Sequence, residues 1–259
     1  MRTSYAVGFA EVYDRHYANF AQSAARAIHR LHETTREPGR IEPYRLLDLC
    51  CGAGQLMRYF ADRGYEAIGV DRAPAMLEKA RGNAGPHLDS GAVEFHEADV
   101  TAYLPSSPVD LVTSTFDALN HLPDFAALEA VFARAAEGLA PGGMFVFDLH
   151  TLRGIRSLNH IHVRDDEDLL MVSRINHDPE NNRAFAHISG VYQVPEQPNW
   201  MRFDQHASVT AWSVGDVLSA LKRAGFSSSV PSTLDRLGEP LTDPESNPRL
   251  FYVARKWSS

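Results

Sequence analysis

The stretch LLDLCCGAGQL, residues 46–56, decides the fold. An apolar run that ends in two adjacent cysteines is followed at once by Gly52, Ala53 and Gly54, and then by a helical pattern. A buried strand, a glycine turn and a helix in this order are typical of a doubly wound α/β sheet, whose ligands bind at the carboxyl ends of the strands. The stretch therefore raises two hypotheses: a cysteine-based site, or a glycine loop that holds a cofactor.

The two cysteines, Cys50 and Cys51, are the only ones in the chain. Adjacent cysteines do not meet ordinary disulfide geometry, in which the Cα atoms lie roughly 5.5 Å apart. No Cys-x-x-Cys spacing points to zinc. We interpret both as small residues that are easily buried. The sequence therefore favours the glycine loop and predicts no metal site.

Strand and helix patterns alternate downstream of this loop. Because such alternation produces a parallel sheet covered on both faces, it predicts an α/β fold with right-handed crossovers. An alanine-rich helix at 9–33 and a connector at 37–43 come before the first strand. The predicted strands are 44–50, 66–70, 93–96, 109–114 and 144–149, and the predicted helices are 55–63, 74–81 and 124–139. Gly82 and the run 141–143 are expected to end the last two helices.

The pattern changes after residue 150. Three strands with short turns follow one another, and an antiparallel insertion of this kind is often a functional lid. The acidic run 165–168 is expected to lie in a loop. The strands are predicted at 169–176, 184–194 and 200–210, with turns at 178–182 and 195–199.

The α/β pattern then returns with a helix at 213–224 and strands at 226–230 and 250–255. We therefore predict one domain made of residues 1–150 and 211–259, whose first 40 residues form a helical cover. Residues 151–210 are predicted to be an antiparallel β lid inserted in that domain.

Charge and hydropathy narrow the class of partner. The net charge is −8, which disfavours nucleic acid or an anionic membrane as the main partner. No run of about 18 apolar residues indicates a membrane span, and the N-terminus lacks the pattern of a secretory signal. We expect a cytoplasmic protein that acts on a small molecule.

A carboxylate at the end of the second predicted strand supports the cofactor hypothesis. Asp71 follows Gly54 by 17 residues, near the offset of about 20 at which an acidic side chain binds the hydroxyls of a ribose. The alternative is that the glycines only form a turn and Asp71 caps the next helix. A dinucleotide-binding loop is disfavoured, because it needs a third glycine where Met57 stands. A P-loop is excluded, because the Gly-Lys-Ser/Thr that it needs does not follow.

The segment Asp48–Gly54 resembles the first motif of the class I S-adenosylmethionine-dependent methyltransferases, D/E-x-G-x-G-x-G, with Cys50 in place of the first glycine. GVDRAPAML (69–77), EADV (97–100) and STFDALNHL (114–122) resemble the second, third and fourth motifs. LAPGGMFVFDL (139–149) resembles the approach to the fifth strand. The chain is most similar to the small-molecule type, such as amino-sugar N,N-dimethyltransferases and glycine N-methyltransferase.

This resemblance implies a fold and a cofactor. The fold is a doubly wound, Rossmann-like sheet of seven strands with the last one antiparallel, to which the antiparallel β insertion after the fifth strand is added. The cofactor is S-adenosyl-L-methionine. Asp71 would bind the ribose hydroxyls, Arg72 and Met76 would lie against the adenine, and Asp99 would accept from the adenine amino group. The other expected cofactor contacts are Tyr17, Asp48, Cys50, Gly52, Gly54, Val100 and Phe116.

Candidate catalytic groups come from two regions. Tyr13 and Tyr17 are four residues apart on the first helix and share a face, where aromatic rings can favour a sulfonium. Their alternative role is helix packing. His121 follows the fourth strand and suits general-base work near neutral pH, and its alternative is a structural histidine in a turn. We select His121 and Tyr13 as catalytic candidates, and expect Asn120 to be a turn or cofactor contact.

Candidate substrate-binding groups lie on the predicted lid and after the fifth strand. Arg202, Asp204 and His206 alternate on one strand and therefore share one face. They could hold a polar acceptor, or they could form a solvated face. His150 is a further candidate. The pair His160 and His162 is a poor metal signal.

We therefore predict an enzyme of the methyltransferase class that transfers a methyl group to nitrogen or oxygen of a small metabolite or natural-product intermediate. The alternatives are a protein that binds the same cofactor for other chemistry, a non-catalytic binding module, and a nicotinamide oxidoreductase. The acceptor and the oligomeric state stay open, with a homodimer as one option.

Overall fold

The computed structural model describes residues 7–36, 41–194 and 197–258. The predicted connector 37–43, the turn 195–199 and the helical cover 1–40 therefore lie partly outside the described residues. The helices are α1 Val7–Thr35, α2 Gln55–Ala61, α3 Pro74–Ala84, α4 Pro86–Asp89, α5 Phe125–Gly138, α6 Leu152–Ser157 and α7 Val214–Arg223, with 3-10 turns at Ala118–His121 and Pro244–Ser246.

A seven-stranded sheet forms the centre of the molecule. Its strands are β1 Arg45–Leu49, β2 Glu66–Asp71, β3 Val93–Glu97, β4 Val109–Ser114, β5 Leu139–His150, β10 Phe226–Ser232 and β11 Arg249–Lys256. They lie in the order β10-β11-β5-β4-β1-β2-β3. The last strand, β11, runs antiparallel to both neighbours, whereas the β1, β2, β3, β4 and β5 pairings are parallel. The predicted fold class is confirmed.

The helices cover both faces of this sheet, and its central strands are therefore buried almost throughout. In β1 every residue after Arg45 is buried, and in β4 only Asp110 is partly exposed. Side-chain caps start three of the described helices: Asp124 accepts from Ala127 N at α5, Thr151 accepts from Gly154 N at α6, and Ser213 accepts from Asp216 N at α7.

Two predicted helix ends are wrong. Helix α3 continues through Gly82 to Ala84, with Gly85 as its C-cap. The Pro-Gly-Gly run 141–143 does not end α5, because β5 already begins at Leu139 and contains the run. In both places sheet pairing and packing outweigh the local preference of glycine.

A second, four-stranded sheet follows β5. Its strands are β6 His160–Asp166, β7 Leu169–Asp178, β8 Arg183–Gln193 and β9 Trp200–Thr210, all paired antiparallel in chain order. The first strand and α6 were not predicted, and the acidic run 165–168 begins within β6 rather than in a loop. Strand β6 is exposed almost throughout, so it carries no apolar alternation by which a sequence could reveal it.

Helix α1 lies between the two sheets. On one side Phe9 and Val12 pack against Phe203 and other buried residues of the second sheet. On the other side Asp14 accepts from Gln55 Nε2 at 2.6 Å and from Asn83 Nδ2 at 2.7 Å, which ties α1 to α2 and α3. The first helix is therefore fixed over the carboxyl end of β1. Among the described residues, no helix is long and apolar enough to cross a membrane.

Candidate active site

The glycine loop after β1 has the backbone that only glycine adopts readily. Gly52 has φ 55° and Gly54 has φ 74°, which is the left-handed region. A Cβ at Gly54 would stand 3.0 Å from Ala80 Cβ on α3, so a side chain there would push α3 away. The loop leads directly into α2, whose N-cap is Gly54.

The two cysteines flank the start of this loop without forming a reactive site. Cys50 also has a left-handed backbone, with φ 57°, and it stands where the motif has its first glycine. Burial raises the pKa of both thiols above the ordinary value of 9.0, and nearby Asp71 raises it further. Neither sulfur is therefore activated as a nucleophile.

Asp71 joins the loop to the end of β2. Its Oδ2 accepts from Gly52 N at 3.0 Å and its Oδ1 accepts from Ala73 N at 2.9 Å. The second contact lies one residue before α3, which begins without a side-chain cap, so Asp71 does not cap that helix. Burial raises the pKa of Asp71, while the hydrogen bonds from Ala73 and Gly52 oppose that shift.

Asp48 lies beneath the loop. It is buried, and its Oδ1 accepts from Thr113 Oγ1 of β4 at 2.7 Å. Burial raises its pKa to about 7, against the hydrogen bond from Thr113. We therefore assign Asp48 to support of the loop from below. The next residue of β4, Ser114, has a fully buried hydroxyl with no partner among the described residues.

The glycine loop and the Ser114 hydroxyl lie at the carboxyl ends of neighbouring strands, β1 and β4. Both features fit a polar ligand that approaches the backbone closely. The residues present thus suit the amino-acid and ribose parts of S-adenosylmethionine.

The other predicted cofactor residues lie at the same edge of the sheet. Arg72 and Asp99 are exposed and follow β2 and β3. Asp99 accepts from Thr101 N at 2.8 Å and from Thr101 Oγ1 at 2.7 Å, and these hydrogen bonds lower its pKa. Val100 packs in the core beside them.

Aromatic rings form a roof over the loop. A Cβ at Gly52 would stand 3.8 Å from Tyr13 and 3.3 Å from the Met76 methyl. The ring centroids of Tyr13 and Tyr17 are 5.2 Å apart, and each lies within 6 Å of the Phe116 ring. Tyr13 thus packs both against the cluster that contains Ala53 of the loop and against Phe116.

The turn after β4 is strained and is held by a buried carboxylate. Phe116 and Asp117 both have positive φ, 69° and 48°, which costs energy for residues other than glycine. Their two N–H groups donate to Asp148 of β5, at 2.6 Å and 3.0 Å. Asp148 is fully buried, so it fixes the backbone that presents the Phe116 ring and the Asp117 carboxylate.

Arg249, the first residue of β11, completes this network. It donates to Asp148 Oδ2 at 2.5 Å, to Asp117 Oδ1 at 2.7 Å and to His150 Nε2 at 3.1 Å. Burial acts to lower the pKa of Arg249, but the attraction of Asp148 and Asp117 outweighs it and the pKa is raised. The guanidinium also lies 5.2 Å from the centroid of the Phe20 ring.

His150 was predicted to be a substrate contact, and the structure places it beside Arg249. Because Arg249 donates to its Nε2, the ring proton is assigned to Nδ1, which faces Pro248 O at 3.3 Å. Burial lowers the pKa of His150.

Sequence reasoning missed four residues of this network: Phe20, Asp117, Asp148 and Arg249. For Asp148 a signal existed, since it is a single carboxylate within the apolar strand MFVFDL. A charge inside such a strand is retained only when it is paired.

His121 ends the 3-10 turn that follows Asp117, and it faces the second sheet. Its ring donates to the Ser208 carbonyl of β9, and burial lowers its pKa below the ordinary value of 6.5. The neighbouring Asn120 is fully buried. It accepts from His150 N at 2.9 Å and donates to Thr210 O at 2.7 Å, so it joins the two sheets.

The prediction that Arg202, Asp204 and His206 hold the acceptor is not supported by their placement. They do share one face of β9, but all three are exposed, whereas Phe203 between them packs against α1. Because successive residues of a strand point to opposite faces, the charged face is turned away from α1 and the glycine loop.

The chain is similar to known methyltransferases. Residues 46–143 match a family model described as a methyltransferase domain. Trans-aconitate 2-methyltransferase from Streptomyces avermitilis is 34% identical over 139 residues, which are 53% of this chain and 48% of that protein. The match therefore spans about half the length of that relative.

Solved structures share the whole architecture. An S-adenosylmethionine-dependent methyltransferase from Clostridium acetobutylicum superposes with a TM-score of 0.78 at 19% identity, over 96% of this chain and 98% of that one. A sugar N-methyltransferase from a Streptoalloteichus species gives 0.75 at 22% identity, over 95% and 92%. Residues 46–143 therefore match a methyltransferase domain, and the chain as a whole has the fold of the solved S-adenosylmethionine-dependent methyltransferases.

Proposed function

We propose that the protein transfers the methyl group of S-adenosylmethionine to a nitrogen or hydroxyl oxygen of a small acceptor. The observation that carries the proposal is the packing of Tyr13 against the cluster that contains Ala53 of the glycine loop, and against Phe116. One aromatic wall thereby borders both the loop for the cofactor and the turn after β4, where an acceptor would lie.

When bound, S-adenosylmethionine supplies a methyl group on a positively charged sulfur. The backbone of Gly52 and Gly54 would hold the amino-acid part, and Asp71 would accept from the ribose hydroxyls. Tyr13 and Tyr17 would present ring faces to the positive charge. On the adenine side we assign Arg72, Met76, Asp99 and Val100, with Phe116 between cofactor and acceptor.

The network of Asp117, Asp148, His150 and Arg249 favours an amine or a hydroxyl over a carboxylate as the methyl acceptor. Arg249 is already paired with Asp117 and Asp148, so its charge is not free for an anionic acceptor. Asp117 and the aromatic rings instead suit a group that is neutral or positively charged. This supports a substrate of the amino-sugar kind, as in the Streptoalloteichus relative's name, over one like trans-aconitate, as in the Streptomyces avermitilis relative's name.

We assign His121 as the general base that takes the proton from the methylated nitrogen or oxygen of the substrate. One ring N–H donates to the Ser208 carbonyl, which leaves the second nitrogen free to take a proton. Because burial lowers its pKa, the imidazole is neutral at pH 7, as a general base must be.

We assign residues 151–210 to a lid that closes the acceptor side, and residues 1–150 and 211–259 to the cofactor domain with its helical cover. The cytoplasm is the proposed compartment, with a small-molecule acceptor and neither nucleic acid nor membrane as partner.

Calorimetric titration with S-adenosylmethionine, S-adenosylhomocysteine and NAD tests the cofactor. We expect the first two to bind and NAD not to bind. Asp71→Ala should weaken binding about tenfold or more, since a charge-assisted hydrogen bond contributes roughly 1.5–3 kcal/mol. Asp62→Ala, an exposed carboxylate at the end of α2, is the matched control. Tight NAD binding, or unchanged affinity in Asp71→Ala, would contradict the site.

Methyl transfer from labelled S-adenosylmethionine to a panel of acceptors tests the substrate class. The panel comprises amino sugars and their nucleotides, the matching hydroxyl sugars, and trans-aconitate. We expect label in the amino or hydroxyl compounds. Label in trans-aconitate alone would overturn the preference and leave the cofactor assignment intact.

A further inference from the structure

The outer face of the second sheet carries a side-chain cluster that the proposed reaction does not use. His187 of β8 and His206 of β9 are directly opposite in the antiparallel register. Their rings are stacked, with centroids 4.3 Å apart and planes inclined by 3°. Cross-strand register thus holds two imidazoles side by side on rigid strands, which fixes their separation better than a loop would.

A carboxylate contacts the Nε2 atoms of both rings at their edges. Asp204 Oδ2 is 3.1 Å from His187 Nε2, and Asp204 Oδ1 is 3.3 Å from His206 Nε2. One ligand atom from each of the three residues lies within 4.8 Å of the others. Donor atoms around one tetrahedral ion are separated by roughly 3.3 Å, given metal–ligand distances of about 2.0–2.2 Å, so small side-chain rotations suffice to converge on a single ion.

We propose that His187, Asp204 and His206 bind one divalent transition-metal ion of the zinc type. The ligands are Nε2 of each histidine and one carboxylate oxygen, and water completes the coordination. Two imidazoles and a carboxylate are a donor set for zinc and its neighbours, whereas calcium and magnesium prefer oxygen alone. On binding, each imidazole coordinates through an unprotonated Nε2 and keeps its proton on Nδ1, and no electron is transferred.

The surroundings permit this site and give it a consequence. Arg202 lies 3.6 Å from Asp204, but its side chain is 77% exposed and can turn into solvent when an ion takes its place. The opposite face of β9 holds Phe203 against α1. An ion that joins β8 to β9 would therefore stiffen the strand on which the cover helix packs, without touching the glycine loop.

Metal titration of tag-free, chelator-treated protein tests the proposal. Zn²⁺ and Co²⁺ should each bind with one equivalent per chain by calorimetry, and Co²⁺ should give visible absorption bands of low-coordinate geometry. Zn²⁺ should also raise the melting temperature, because a ligand that binds only the folded state stabilises it. His187→Ala and His206→Ala should each weaken binding at least tenfold.

His162→Ala is the matched control, since it removes another exposed histidine of the same sheet. It should leave the affinity unchanged. The proposal is overturned if the wild-type protein binds no Zn²⁺, if binding survives in the His187→Ala, His206→Ala double variant, or if His162→Ala weakens binding as much as the cluster variants. All three positions are exposed or half-exposed, so the variants keep the fold, and the readouts do not depend on enzymatic activity.

Discussion

The two sheets treat a charged side chain in opposite ways. In the seven-stranded sheet Asp148 is fully buried and accepts from two backbone N–H groups and from Arg249. In the four-stranded sheet Asp204 is exposed and contacts two histidines and an arginine that are themselves in solvent. Asp148 and Asp204 each lie at the centre of a hydrogen-bond network, but only Asp148 is shielded from solvent.

This difference teaches which network the fold depends on. A buried charge that loses its partners has no water to replace them, whereas an exposed charge is solvated again at once. The first network can therefore hold a strained backbone in place. The second contributes little until another ligand, such as a metal ion, fills it.

Asp148→Ala should give the largest effect. The change leaves the two N–H groups of the strained turn without their acceptor and removes one of the two carboxylates that pair with Arg249. We expect the free energy of unfolding in a urea titration to fall by about 3–5 kcal/mol, as for other broken buried pairs. If the unfolding free energy falls by less than about 1 kcal/mol, the buried Asp148 network contributes no more to stability than the exposed Asp204 network, and the comparison fails.

His121 tests the junction of the two sheets, since it follows β4 and bonds to β9. His121→Ala should lower kcat roughly 100-fold, the smaller end of general-base contributions. In the wild type, activity should fall as the pH drops, because protonation removes the base. Since burial lowers the pKa, the midpoint of this acid limb should lie below 6.5.

The pH profile separates catalysis from structure. A histidine that only packs would leave the acid limb in place after substitution, whereas loss of the base should abolish it. If the acid limb of the pH profile is unchanged in His121→Ala, a group other than His121 is the general base.

Two phenylalanines compare the faces of the second sheet. Phe203 is buried against α1, whereas Phe185 is 48% exposed. Phe203→Ala should cost about 2 kcal/mol in unfolding free energy, below the usual range for a core phenylalanine because α1 can settle into part of the cavity. Phe185→Ala should cost clearly less. Equal losses in urea titrations would show that the two faces are not distinguished by packing.

Asp204→Asn should have the smallest effect. Without metal, the urea midpoint and kcat should stay at their wild-type values, because the exposed carboxylate and its partners are solvated in either state. A marked fall in kcat in chelator-treated protein would instead support a role of this face in binding the acceptor.

Much of the seven-stranded sheet could be predicted because its signals are local. Glycine, the strand before it and the helix after it lie within eleven residues of LLDLCCGAGQL. Asp71 could be found in the same way, from its place at a strand end. The Asp148–Arg249 pair could not, because its members are 101 residues apart and meet only when β11 inserts beside β5.

The second sheet was predicted less well for a different reason. Period-two alternation shows that Arg202, Asp204 and His206 share a face but does not say which way the sheet is turned. The apolar Phe203 on the opposite face was the available indication, because the apolar face of an antiparallel sheet packs inward. Strand β6 lacks even this pattern, since both of its faces are largely exposed.

The position of α1 has a consequence for the order in which the molecule is assembled. Two of its ring contacts are with Phe203 of β9 and Phe251 of β11, so part of the packing of this helix depends on strands that lie far along the chain. Contacts so distant along the chain form slowly, because a long loop must close before they contribute. We therefore expect the first helix to reach its final packing late, after β9 and β11 have formed beside it.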